Sequence, residues 1–114
     1  MPLIQVRTNI TKEKLTRDVH LKFSARAAEL MNKPEARVSV TVECGLDMCR
    51  GGSFEPVIEV HIAAIGVDCR EKTQSVVAGL SELLHEQLGL PLERIVFKFS
   101  NLQPFEVGVN GNTM

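Results

Sequence analysis

Apolar residues recur along this chain with two periods, and each period appears more than once. Leu15, Val19, Phe23, Ala27, Leu30 and Met31 follow the spacing of one helical face, and Asn32 and Pro34 end the run. Val76, Leu80, Leu83, Leu84 and Leu88 repeat the pattern, stopped by Gly89 and Pro91. On either side of these helices the period drops to two. Val38, Val40 and Val42 alternate with Ser39, Thr41 and Glu43. Ile58, Val60 and Ile62 alternate with Glu59 and His61, and Ile95, Phe97 and Phe99 with Val96 and Lys98. Such alternation predicts strands with one buried face and one wetter face.

The periods belong to an internal repeat. Pro2-Leu-Ile-Gln-Val-Arg7 is echoed by Pro56-Val-Ile-Glu-Val-His61, and Pro34-Glu-Ala-Arg37-Val38 by Pro91-Leu-Glu-Arg94-Ile95. Residues 2–44 and 56–100 therefore each read strand–helix–strand. The expected architecture is an α/β single domain over residues 1–114: two βαβ repeats forming a four-stranded sheet, with two helices on one face and pseudo-two-fold symmetry. Nothing is left to cover the other face, which carries polar residues such as Gln5, Arg7, Glu59, His61 and Lys98 alongside Leu3 and Val96. That face is either solvated or packed against copies of itself around a polar interior. Glu43–Glu55, with Gly45, Gly51 and Gly52, reads as a flexible turn; no Lys-Ser/Thr and no helix follows, as a phosphate cradle requires. In the tail, Glu106–Val109 is expected to form a short edge strand.

Composition narrows the function. The 114 residues suit one domain that buries roughly two-thirds of its unfolded surface without disulfide staples. Thirteen basic and fourteen acidic residues give a net charge of −1 with no basic stripe, which argues against nucleic acid as a partner. No run approaches the ~20 apolar residues of a membrane span, and a charge at Arg7 interrupts any signal-peptide core. The expected location is the cytosol, without membrane insertion. Cys44, Cys49 and Cys69 are odd in number and form no CxxC, so free thiols are expected. Adding His20, His61 and His85 yields no metal-ligand spacing, and no metal or cofactor is expected. None of the three histidines is placed as a catalytic group. Tyrosine is absent altogether, which removes one common proton donor.

One candidate for chemistry stands at the start. Proline in the second position permits removal of Met1, which would expose a secondary amine at Pro2; alternatively Pro2 merely begins an edge strand. A terminal amine titrates near ~8, and burial or neighbouring cations lower that toward neutrality, where a general base is most effective. Lys33, fixed between a helix end and Pro34, and Lys98 are candidate cations, each otherwise a solvated surface charge. Ile65-Gly66 closes the third strand, and a strand end leaves a backbone N–H free to hold a carboxylate.

These residues together resemble the macrophage migration inhibitory factor family of the tautomerase superfamily. The resemblance is carried by Met1-Pro2, Thr8-Asn9, Lys33-Pro34, Gly51-Gly52-Ser53-x-Glu55-Pro56, Ile65-Gly66, Arg94-Ile95 and Val107-Gly108-x-Asn110-Gly111-x-Thr113. It covers essentially the whole chain. It implies a homotrimer whose sheets wrap a central channel, with active sites between subunits. It further implies that Pro2 is the general base, that Lys33 and the Ile65 backbone bind the carboxylate of a small aromatic keto-acid, and that Lys98 or Arg37 stabilises developing negative charge.

Where the cytokine branch carries a tyrosine and an asparagine, this chain has Val96 and Lys98, and it has Arg37. All three features resemble the D-dopachrome tautomerase branch, whose dopachrome-like substrates also lose carbon dioxide. The cytokine's CxxC falls on Val57 and Val60, so no thiol-oxidoreductase role carries over. The resemblance also implies secretion without a signal peptide and binding to a cell-surface receptor. The alternative expectation is accordingly a receptor ligand with a vestigial pocket.

Overall fold

Alternate residues of Leu3–Thr8 turn to opposite faces, so Ile4, Val6 and Thr8 are buried while Leu3, Gln5 and Arg7 face outward. This strand, β1, begins the computed structural model, which describes residues 1–114. The remaining main elements are α1 (Arg17–Leu30), β2 (Ser39–Glu43), β3 (Ile58–Ala64), α2 (Arg70–Leu88) and β4 (Ile95–Asn101). Short 3₁₀ turns, Glu35–Arg37 and Leu92–Arg94, precede β2 and β4, each entered from a proline, Pro34 or Pro91. The repeat thus extends to matching turns.

The helix ends follow local chemistry. The Thr16 hydroxyl accepts the Val19 amide at 3.4 Å, and Asp18 sits in the first turn, where the helix dipole favours a negative charge. Leu15 is buried but lies ahead of the helix, not within it. α2 ends at Gly89, whose φ of 71° is a left-handed conformation that a side chain would oppose.

The sheet order is β2-β1-β3-β4. β1 runs parallel to β2, β3 parallel to β4, and the two halves meet antiparallel through β1 and β3. Both helices cover one face, where Val19, Phe23, Leu80 and Leu84 bury Ile4, Val60 and Ile62 in a single core. The fold class expected from the repeat is the one observed.

The two connecting segments differ from expectation. Glu106–Val109 is no edge strand of the main sheet: Pro104–Glu106 is a 3₁₀ turn, and β5 (Gly108–Val109) pairs antiparallel with β6 (Asn112–Thr113) in a separate ribbon. Asn110-Gly111, both at positive φ, close that ribbon locally, which takes the segment away from the sheet. Within Glu43–Glu55, residues 50–55 are pinned. Arg50 and Ser53 exchange backbone hydrogen bonds, and Arg94 and Asn9 hold the carbonyls that follow.

Candidate active site

Strand register decides which of the candidate residues meet. Continuing the β1–β3 pairing two places beyond Leu3–Ala63 sets Pro2 beside Ala64 and Met1 beside Ile65. The parallel β1–β2 pairing sets Leu3 against Ser39, and the Ser39 amide donates to the Pro2 carbonyl at 3.1 Å. Arg37, in the turn that leads into β2, therefore reaches the same end of the sheet. Lys33 arrives from the end of α1, where Asn32 takes a positive φ of 52° and the Lys33 amide donates to the Ala28 carbonyl at 2.9 Å.

Pro2 is fully buried, Lys33 and Ile65 are half-buried, and Arg37 is exposed. Electrostatics reflect the cluster. The Met1 amine is lowered from its ordinary value near 8.0, first by burial and then by the positive charges of Lys33 and Arg37.

Lys33 and Ile65 line one cavity of about 370 Å³ between the end of α1 and the start of α2. The Ile65 amide has no acceptor within the chain. Those of Gly66 and Val67 are taken by the Asn101 side chain at 3.2 and 3.0 Å. Asn101 is thus a positioning residue that the sequence reading passed over. Its only signal was an amide side chain at a strand end.

Val96 and Lys98 do not join this cluster. They lie on β4, paired with Glu59 and His61, two strands away from β1. Asn101, not Lys98, is the β4 residue level with Pro2. At ~3.3 Å per residue and ~4.8 Å per strand, Lys98 is roughly 14 Å and Val96 roughly 19 Å from Pro2. Lys98 also faces the open side of the sheet, while Pro2 is buried toward the helices.

The histidines have structural partners. His20 is half-buried and its Nε2 lies 2.9 Å from the Val40 carbonyl, and His85 Nδ1 lies 2.7 Å from that of Leu90. His61 Nε2 meets Ser100 Oγ at 2.8 Å. Cys44, Cys49 and Cys69 are unpaired thiols. A larger cavity, about 830 Å³, lies between α1 and the free edge of β2 and is lined by none of the six candidate residues. Size alone therefore does not mark the site. No helix is long and apolar enough to cross a membrane.

Known proteins resemble this chain over its whole length. The family model described as macrophage migration inhibitory factor matches residues 1–114. D-dopachrome decarboxylase-B of Xenopus laevis is 36% identical over 115 residues, covering 100% of this chain and 98% of the relative. A MIF-like protein of Caenorhabditis elegans is 32% identical over 114 residues, covering 100% and 95%. Among solved structures, the macrophage migration inhibitory factor of Trichinella spiralis superimposes with a TM-score of 0.91 at 28% identity, covering 98% and 99% of the two chains.

Proposed function

Because the chain belongs to the macrophage migration inhibitory factor family, we propose that it is a keto–enol tautomerase whose base is the amine of Pro2. The observation that carries this reading is the lowered basicity of the Met1 amine, one residue before Pro2, through burial and then the charges of Lys33 and Arg37. Removal of Met1 moves that amine one residue inward, to a fully buried position, where desolvation acts more strongly. A neutral amine at pH 7 is the form that accepts a proton.

In this mechanism the Pro2 nitrogen takes a proton from the carbon beside the ketone of a small aromatic keto-acid such as phenylpyruvate. The electron pair moves to the carbonyl oxygen, and the proton is returned elsewhere as the enol and keto forms interconvert. Lys33 and the unpartnered Ile65 amide bind the carboxylate. Arg37 or Lys98 stabilises the negative charge that develops on oxygen. With a dopachrome-like substrate the same electron sink promotes loss of carbon dioxide, an activity printed in the name of the Xenopus relative.

The separation of Val96 and Lys98 from Pro2 fits a site shared between subunits of a homotrimer. The uncovered face of the sheet supports the same assembly, since Leu3 stands 45% exposed there, paired with Ser39 and Ala63 and with no charged residue directly beside it. Secretion and binding to a cell-surface receptor form a second role, which rests on membership of the family alone.

Intact-mass measurement and phenylpyruvate turnover of the same sample test the proposal. Met1 is expected to be absent, and Pro2→Gly is expected to lower the rate by ~10²-fold or more, the usual share of a general base. An unchanged rate in Pro2→Gly excludes the mechanism. Retained Met1 makes the Pro2 nitrogen an amide without basicity; with no turnover, that result leaves the receptor ligand with a vestigial pocket.

A further inference from the structure

The cavity that holds Lys33 and Ile65 has a second cation. The end of α1 supplies one wall, with Lys33, and the first two turns of α2 supply another, with Lys72 and Ser75. Apolar side chains, among them Ile65 and Val76, complete the lining, which includes no carboxylate and does not extend to Pro2. Its volume of about 370 Å³ is in the range of small-molecule clefts.

The two lysines are differently engaged. Lys33 takes part in none of the chain's three ion pairs. Lys72 pairs with Asp68 at 3.3 Å, one helical turn back, and both side chains are more than half exposed. The hydrogen bond from Lys72 holds the Asp68 carboxyl below the usual carboxylate range. An exposed pair of this kind contributes little, so a ligand anion exchanges with Asp68 readily. Asp68 itself does not line the cavity.

One carboxylate requires one cation. Two cations, one just past the end of α1 and one on α2, lining a cavity with apolar walls, suit a ligand carrying an anionic group on each side of an apolar body. We propose that Lys72 is a specificity-determining residue of this site: Lys33 and Lys72 hold the two anionic groups of one small ligand, an aromatic keto-acid with a second carboxylate on its ring. The keto-acid part of this statement rests on the tautomerase reading; the dianion part rests on the cavity.

The test compares kcat/KM for 4-carboxyphenylpyruvate with that for phenylpyruvate. Lys72→Gln is expected to lower the ratio about tenfold, through KM, as expected for loss of a charged hydrogen-bond partner. Lys72→Arg restores it, and Asp68→Asn, which releases Lys72 from its competitor, raises it. A ratio unmoved by Lys72→Gln overturns the proposal. If the wild-type protein turns over neither substrate, the tautomerase reading fails and calorimetric titration with terephthalate and benzoate decides the dianion part. Tighter binding of terephthalate, with the advantage lost in Lys72→Gln, supports it; equal affinities overturn it.

Discussion

Arg94 Nη2 donates to the Glu55 carbonyl at 2.7 Å and to that of Ser53 at 3.3 Å, while Nη1 and Nε reach the carbonyls of Arg50 and Pro56 at 2.9 and 3.1 Å. One side chain therefore holds the backbone of residues 50–56 against the start of β4. A guanidinium suits this task because its donors are fixed in a planar fork, whereas an ammonium is a single point. Arg94→Ala is expected to cost about 2 kcal/mol and Arg94→Lys to recover only part of it. Urea unfolding checks this as a lower midpoint with an unchanged slope.

Thr8 forms a second internal tie. It is fully buried, donates to the Val57 carbonyl at 2.7 Å and accepts the Ile10 amide at 3.0 Å. Thr8→Val keeps the shape but strands both backbone groups without partners. The expected loss is about 2–3 kcal/mol, read by thermal or urea denaturation.

α1 and α2 approach closely at Gly79. A Cβ there would lie 2.5 and 2.6 Å from the two terminal methyls of Leu30. In the wild-type background Gly79→Ala is expected to destabilise by about 1 kcal/mol, because overpacking outweighs the gain in helix propensity. In a Leu30→Ala background the obstacle is gone, and the same change is expected to stabilise by up to about 1 kcal/mol. A double-mutant cycle measures this reversal of sign.

The pH profile of catalysis is expected to follow the terminal amine. Burial and then the cations of Lys33 and Arg37 lower the Met1 amine from 8.0. A Pro2 amine exposed by loss of Met1 is expected to feel the same influences, so activity rises as pH increases through a value below that of an unperturbed amine. Lys33→Gln and Arg37→Gln each remove a positive charge, which restores basicity and moves the acidic limb of kcat/KM toward higher pH. Lys33 is expected to give the larger displacement, since its effect on the neighbouring Met1 amine exceeds that of Arg37. Limbs that stay in place in both variants would separate the base from this amine.

The strands around Val40, Val60 and Phe97 and the helices around Phe23 and Leu80 were legible because each element's period writes its buried face directly into the chain. The matching Pro34 and Pro91 turns, and hence the pseudo-symmetric sheet, followed from the repeat. Pro2, Lys33 and Ile65 were legible as candidates because their chemistry and positions at element ends are local properties. Asn101 was not, since an asparagine at a strand end shows its role only when the Gly66 and Val67 amides arrive beside it. Nor was the pinning of residues 50–56, which depends on a guanidinium thirty-nine positions beyond Glu55.

What the sequence alone determined is therefore the class of fold, the residue types available for proton transfer and anion binding, and the face each strand buries. These are consequences of short-range periodicity and composition. Only the tertiary structure decided that the chain start shares one end of the sheet with Lys33, Arg37 and Ile65 while Val96 and Lys98 lie roughly 14–19 Å away. It also decided that Lys72 joins Lys33 across one cavity. The physical reason is register. Strand pairing and helix packing bring distant residues within reach or hold them apart by a few steps of ~3.3 Å along a strand, and no local pattern records those steps.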